Sequence, residues 1–170
     1  YSHEYAMHFP QIQWPAGRPA KISPIYNDLI QAGAVMGSYG GWERADWFTN
    51  DESLKKPALS YDRQHWFEDV AEECSNVSNS CGIIDLTGFS RFEINGEGAA
   101  KWLEMLITGN LPKIGKVGLV YFASPSGKVL TEMTATRISE NEIWLLTGAG
   151  AYWHDRDWLS FNLPQNSRIN

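Results

Sequence analysis

The sequence has few cysteines, no concentration of basic residues and no long apolar run, and each shortage excludes a class of protein. Its two cysteines, Cys74 and Cys81, are too few for a disulfide framework. We expect both to be reduced, partly buried thiols, which suits a bacterial cytoplasm or a mitochondrial matrix. No stretch is apolar over the length that a membrane-spanning helix needs, so we predict no membrane partner.

The charge balance also excludes partners. The net charge is −6, and lysine and arginine are nowhere concentrated. Because phosphate binding needs clustered positive charge, we predict that the chain does not bind nucleic acid. The sequence starts at Tyr1 without a signal peptide or an initiator methionine. We therefore expect it to begin inside a longer protein.

Glycine and tryptophan, in contrast, are abundant and meet in residues 33–48, which read GAVMGSYGGWERADWF. Neither helical nor strand periodicity fits this segment. Its glycines allow a tight backbone path, and its aromatic rings supply a large area for burial. From the residues alone, a structural buckle between domains is favoured over a ligand site. We assign this structural role to Trp42, Glu43, Arg44 and Trp47, with Arg44 able to form a bidentate bond to a carboxylate or to stack on an indole.

The remaining pattern predicts an α+β fold with an antiparallel sheet and packed helices. Helices are expected over residues 24–32, 63–76, 98–107 and 152–161, the first of them capped by Ser23 and ended by Gly33. Strands are expected at 83–84, 89–94, 117–123, 128–138 and 142–147. From residue 89 onward the order is most of a ferredoxin-like split β-α-β unit. We expect its closing strand to be absent or irregular.

Motifs alone indicate no catalytic centre. Residues 148–151, GAGA, follow a strand and precede a helix, but the antiparallel meander before them argues against a dinucleotide site. His154 stands beside Asp155, yet adjacent helical positions point in different directions. We therefore predict no metal site.

Three segments resemble a known family. Residues 33–48 resemble the junction segment of the dimethylglycine and sarcosine dehydrogenase family, which usually reads GWERP where this chain reads GWERA. Residues 82–96, GIIDLTGFSRFEING, and 145–150, LLTGAG, are similar to the aminomethyltransferase fold of the glycine cleavage T-protein. The continuation HDRDWL is similar to the dimethylglycine dehydrogenase branch.

The resemblance implies two domains and a division of cofactors. Residues 1–60 correspond to the central junction domain, and residues 61–170 to the first part of the folate-binding aminomethyltransferase domain. Such proteins oxidise an N-methyl group with FAD and pass the one-carbon unit to tetrahydrofolate. FAD would be bound only by an upstream domain outside this sequence. The acidic residue that holds the pterin would lie downstream, also outside it.

The resemblance also indicates two candidate site residues. Asn110 occupies the position where the T-protein pattern has an aspartate. An asparagine cannot act as a carboxylate base, although it can orient a ligand. Tyr121 matches a position that often carries an aromatic near the folate, and its alternative role is that of a core strand residue. We expect the two to share a half-built pterin pocket, provided that the loop between them turns back at Pro112 and Gly115.

Two hypotheses follow. In the first, the chain is part of a folate-linked flavin amine dehydrogenase, inactive when isolated, whose partners are folate, the remainder of its own chain and, as a possibility, a second copy of itself. In the second, it belongs to a non-catalytic relative, as the regulatory subunit of pyruvate dehydrogenase phosphatase resembles the same family. The asparagine at position 110 motivates the second hypothesis.

Overall fold

The computed structural model describes residues 4–7, 9, 12–56, 58, 60–165 and 168–170. The chain divides into two compact units, residues 1–88 and 89–170. The first unit contains helix α1 (Tyr26–Gln31), strands β1 (Ala34–Tyr39) and β2 (Trp42–Phe48), and helix α2 (Phe67–Asn79). The boundary predicted near residue 60 stays a prediction.

The segment at residues 33–48, for which no regular structure was expected, is a β-hairpin. Strands β1 and β2 pair antiparallel from Ala34 opposite Phe48 to Tyr39 opposite Trp42. The turn between them is Gly40-Gly41, with φ of 60° and 83°. A two-residue hairpin turn favours positive φ at both positions, which two glycines adopt without strain. The expectation that this segment has no regular secondary structure was therefore wrong, and the structural role assigned to it stays a prediction.

Helix α1 is shorter at its start than predicted. It begins at Tyr26, with Ile25 at the N-cap, and no side chain caps it. Ser23 is not the cap, because its carbonyl accepts the amide of Tyr26 in the preceding turn (3.1 Å) and its side chain is buried. Gly33 follows the C-cap with φ 89°, as expected of a residue that ends a helix.

Helix α2 starts four residues later than expected and extends to Asn79. None of its residues is fully buried. Cys74 and Cys81 are free thiols as predicted, but both are exposed rather than partly buried. The strand expected at Ile83 and Ile84 is absent, because this stretch is irregular and Ile83 is 96% exposed. A run of apolar residues without a sheet to join does not become a strand.

The second unit is a five-stranded antiparallel sheet with two helices. Its elements are β3 (Ser90–Asn95), α3 (Ala99–Leu106), β4 (Ile107–Thr108), β5 (Lys116–Ala123), β6 (Val129–Arg137), β7 (Glu142–Thr147) and α4 (Tyr152–Phe161). The spatial order is β3-β7-β6-β5-β4, and every pair is antiparallel. The predicted α+β class with an antiparallel sheet is confirmed, and the element order agrees apart from the added short strand β4.

Both helices pack on one face of this sheet. Leu103 of α3 and Leu159 of α4 join the same buried cluster as Val120 and Phe122 of β5. The indole N–H of Trp102 donates to the carbonyl of Asn162 (2.9 Å), which ties α3 to the end of α4. The opposite face of the sheet is exposed at Leu119, Tyr121, Glu132 and Trp144.

Residues 168–170 return to the edge of this sheet. The amide and carbonyl of Asn170 both bond to those of Asn95, at 2.9 Å each, at the end of β3. Reciprocal bonds of this kind form a hydrogen-bonded antiparallel pair. The closing strand was expected to be absent or irregular, and this contact is a single backbone pair rather than a strand. Within the described ranges, no helix combines the length and the apolarity that crossing a bilayer requires.

Candidate functional site

Tyr121 lies on the exposed face of the sheet, so it is not a core residue. It stands directly opposite Glu132 of β6 and opposite Thr108 of β4. Directly opposed residues of antiparallel strands project to the same face. The phenol donates a hydrogen bond to the Glu132 carboxylate, and this bond raises the pKa of Tyr121 above its ordinary value. Tyr121 is 39% exposed.

Asn110 lies in the loop that leaves β4, and it is exposed. Gly109 before it has φ 89°, and Leu111 after it turns into the core. The loop reverses as anticipated: the amide of Lys116 bonds to the carbonyl of Lys113 (2.9 Å), and Pro112 packs over Gly118 of β5. Asn110 is two residues from Thr108, the partner of Tyr121. A pocket that joins Asn110 and Tyr121 stays a prediction.

Among the hairpin residues, Glu43 is a buried carboxylate with a charged partner. It is only 4% exposed and accepts two bonds from Arg18, at 2.9 and 2.6 Å. Arg18 donates a third bond to the carbonyl of Met36 (2.8 Å). The bidentate partner of a carboxylate is therefore Arg18, whereas Arg44 lies over the ring of Tyr39, 5.4 Å from its centroid. Of the two tryptophans that were assigned a structural role, Trp42 lies beneath the ammonium of Lys21, whose nitrogen is 5.7 Å from the ring centroid.

A β-bulge changes the direction of the next side chains. Val35 pairs with Trp47 and Met36 with Ala45, so Asp46 is an additional residue in β2. A bulge breaks the alternation of side chains across a strand. Consequently Asp46 and Trp47, although consecutive, both line the same cavity. Asp46 lies against Gly37 and accepts a bond from the Tyr39 hydroxyl at 2.9 Å.

That cavity lies in the first unit and has a volume of about 540 Å³. Pockets for small organic molecules fall in this range of size. Aromatic rings form much of its wall: Trp47 is 6.3 Å from Trp66 and meets His65 edge-on at 5.6 Å, measured between ring centroids. Arg18, Tyr39 and Lys55 also line it.

Two buried polar atoms of this wall have no partner. One is the indole N–H of Trp47, a donor, and the other is Nδ1 of His65. Nε2 of His65 lies 3.1 Å from the carbonyl of Leu54, which can only accept, so Nε2 carries the proton. In the neutral ring, Nδ1 is therefore an acceptor. Both atoms are enclosed by neighbouring groups rather than exposed to the cavity.

The charges around the cavity are balanced with one exception. Arg18 is paired with Glu43, and the Lys55 ammonium with Glu52 at 2.6 Å. Asp46 has only the Tyr39 hydroxyl, since no lysine, arginine or histidine of the described chain reaches it within ion-pair distance. Desolvation raises the pKa of Asp46, and the hydroxyl bond and the charges of Arg44 and Arg18 oppose that rise.

Sequence reasoning assigned the hairpin a structural role and did not identify this cavity. The number of aromatics in residues 33–48 was the available signal, but His65 and Trp66 lie about twenty residues further along the chain. The bulge at Asp46 leaves no trace in composition or periodicity.

In the second unit, His154 Nδ1 lies 2.9 Å from Oδ1 of Asp155, and Asp155 is fully buried. The two adjacent residues therefore do interact, although their side chains were expected to point in different directions. Within the part of the chain that the structure describes, no three His, Cys, Asp or Glu side chains are grouped as metal ligands.

Known proteins resemble this chain along most of its length. The family model described as "GCVT N-terminal domain" matches residues 25–170. Mouse mitochondrial dimethylglycine dehydrogenase is 33% identical over 152 residues, which cover 89% of this chain and 17% of that protein. The mouse mitochondrial pyruvate dehydrogenase phosphatase regulatory subunit is 23% identical over 97% of this chain and 20% of its own length.

A solved structure shares the fold. The aminomethyltransferase T of the glycine cleavage system from Bartonella henselae superimposes with a TM-score of 0.68 over 89% of this chain and 37% of its own. The two are 19% identical, so the match concerns the fold alone. The chain spans less than a fifth of the length of the mouse dimethylglycine dehydrogenase that it matches. With the family model covering residues 25–170, the predicted resemblance is confirmed, and the chain belongs to the GCVT N-terminal domain family.

Proposed function

We propose that this chain supplies part of the folate-binding, one-carbon-transfer side of a dimethylglycine dehydrogenase-like flavoenzyme. One observation carries the proposal: β4 pairs with β5 so that Thr108 faces Tyr121, and the loop with Asn110 starts at that same end of the sheet. An aromatic ring beside an amide is what a pterin needs, since the ring provides stacking and the amide provides orientation.

Tyr121 acts in this proposal as a stacking surface. Glu132 stands directly opposite it on β6, and a hydrogen bond from the hydroxyl to that carboxylate would restrict the ring before a ligand arrives. A ring that is held in place loses less conformational entropy on binding than a free one. Its exposure on the face opposite the helices allows a flat ligand to approach without displacing the core.

Asn110 orients the ligand but supplies no charge. A carboxylate in its place could take a proton or stabilise a developing cation, whereas an amide can only exchange hydrogen bonds. Transfer of the one-carbon unit would then rely on groups outside this chain. Substitution of Asn110 by aspartate would add the negative charge that the T-protein pattern has at this position.

Under this proposal, the chain itself does not bind FAD. The glycines at residues 148–151 follow β7, a strand of an antiparallel sheet, and a dinucleotide fingerprint requires a parallel β-α-β unit. We expect purified protein to show no flavin absorbance. The proposed location is the mitochondrial matrix or the bacterial cytoplasm.

A regulatory, non-catalytic role is the second candidate, favoured by the asparagine at position 110 and by the similarity to the phosphatase regulatory subunit. Such a protein would use the same fold to contact a partner protein. It would have no need of a free ring face at Tyr121.

Calorimetric titration with tetrahydrofolate distinguishes the two. We expect weak binding to the chain, reduced about 5- to 150-fold by Tyr121→Ala, because stacking on one aromatic ring is worth about 1–3 kcal/mol. Tyr61→Ala, at a fully exposed tyrosine of the first unit, is the matched control and should bind like the unmodified chain. Equal affinity in all three proteins, or no binding to any, would contradict the folate role and favour the regulatory one.

A further inference from the structure

The aromatic cavity of the first unit differs in position and chemistry from the site at Tyr121. It is lined by residues of β1, β2 and the start of α2, together with the segments before them, and it contains no residue of the second unit. From its geometry and its charge balance we infer that it binds a small organic molecule that carries a primary ammonium group on a flat apolar body.

The charge balance determines the sign of the ligand. Each cation on the wall, Arg18 and Lys55, already has its own carboxylate within 2.6 Å. Asp46 is the carboxylate of the wall without a cationic partner among the described residues. Asp46 is an exposed residue of the cavity lining, and a cation that brings opposite charge and hydrogen-bond donors together can bind its carboxylate. The cavity therefore favours a cationic ligand over an anionic one.

The hydrogen-bond inventory indicates a cation with several N–H donors. Asp46 accepts the Tyr39 hydroxyl at Oδ1 and has acceptor capacity beyond that bond. A primary ammonium has three donors and can use this capacity. A quaternary ammonium has no donor and could not.

The aromatic residues that line the cavity indicate that the ligand has a flat, apolar body. Trp47 and Trp66 both line the cavity, and their ring planes are tilted by 31° to each other. A cation near an indole face gains further attraction, and a flat ring stacks on it. At about 540 Å³ the cavity exceeds the needs of a bare ammonium ion, so it has space for both parts of such a molecule.

Benzylammonium is the probe, and benzyl alcohol, of similar shape but neutral, is its control. We expect the whole chain to bind benzylammonium at least about tenfold more tightly than benzyl alcohol, as measured by calorimetry at pH 7. In ¹H–¹⁵N spectra the indole signals of Trp47 and Trp66 should shift on titration, whereas that of Trp144, on the exposed sheet face of the second unit, should not. The Trp47 signal is assigned with Trp47→Phe.

The Asp46→Asn variant tests the charge directly. Its side-chain oxygen can still accept the Tyr39 hydroxyl, so the hairpin should keep its fold. Affinity for benzylammonium should fall about tenfold to the level of benzyl alcohol, and the Asp28→Asn variant, at an exposed residue of α1, should bind normally. A Trp66→Leu variant should weaken both ligands.

Three results would overturn the inference. They are equal affinity for the cation and the alcohol, a normal affinity in a folded Asp46→Asn protein, and shifts confined to indoles outside the cavity. Tetrahydrofolate binding at Tyr121 is measured separately, so failure of either proposal leaves the other unaffected.

Discussion

Arg18 holds the buried carboxylate of Glu43 with two hydrogen bonds of 2.9 and 2.6 Å, across 25 residues of sequence. Its third bond, to the carbonyl of Met36, joins the segment before α1 to both strands of the hairpin. The buried position of β2 is thus occupied by an ion-paired carboxylate rather than by an apolar side chain. A two-stranded hairpin has little stability of its own.

Breaking this pair should destabilise the first unit. Substitution Arg18→Met leaves Glu43 buried without a partner, and we expect a loss of about 3 kcal/mol in the free energy of unfolding. The double variant Arg18→Met, Glu43→Leu should recover most of that loss, because no charge then remains buried. Urea denaturation followed by tryptophan fluorescence measures both. A single variant as stable as the unmodified chain would show that the pair contributes little.

Gly33 should tolerate alanine less well than Gly17. Both have positive φ, 89° and 77°, so alanine costs about 1–2 kcal/mol of backbone strain at either position. At Gly33 the new methyl group would also meet the carbonyl oxygen of Thr49 at 2.6 Å, whereas at Gly17 nothing lies within 4 Å. The difference between the two variants in thermal unfolding isolates the steric contribution. Equal losses would mean that the Thr49 backbone relaxes freely.

Glu132 should control the ionisation of Tyr121. The carboxylate raises the pKa of the phenol by accepting its proton in a hydrogen bond and by repelling the phenolate. This contribution to stability is present below the unfolded pKa of about 10 and is lost as the pH rises through the raised folded value. In Glu132→Gln the pKa should fall towards 10. Titration of the ¹³Cζ signal of Tyr121, assigned with Tyr121→Phe, measures it, and an unchanged pKa would refute the contact.

Two positions on α3 separate core packing from helix formation. Leu103 is fully buried in the cluster beneath the sheet, and Met105 is 69% exposed. We expect Leu103→Ala to lower the free energy of unfolding by about 2–5 kcal/mol, as large-to-small substitutions in a core do. Met105→Ala on the same helix should change it by less than about 0.5 kcal/mol. Similar losses at both positions would argue against the described packing of α3.

Periodicity predicted the second unit well because its strands have one apolar face. In β7, Ile143 and Leu145 are buried while Trp144 is exposed, and the predicted bounds agree with the structure. The same rule failed for β2, where the buried position is Glu43 and the partner that makes its burial possible, Arg18, is distant in sequence. It failed again at Ile83 and Ile84, two consecutive apolar residues that belong to no strand of the structure.

The candidate sites, too, differ in how far the sequence could predict them. Tyr121 and Asn110 could be proposed only from a resemblance, since a tyrosine on a strand and an asparagine in a loop have no distinctive spacing. The cavity at Trp47 depends on the bulge, on the orientation of His65 by the Leu54 carbonyl and on the pairing of each cation, and all three are tertiary features.

The bulge has a consequence for how this hairpin tolerates changes in chain length. Trp47 faces Val35 and Ala45 faces Met36, so the residues on either side of Asp46 already have partners in the ladder. Deleting Asp46 would bring Ala45 and Trp47 together as consecutive residues of a regular strand, with every other cross-strand partner unchanged. The position of this carboxylate thus has the character of an insertion: a lineage could gain or lose it without shifting the register of its neighbours.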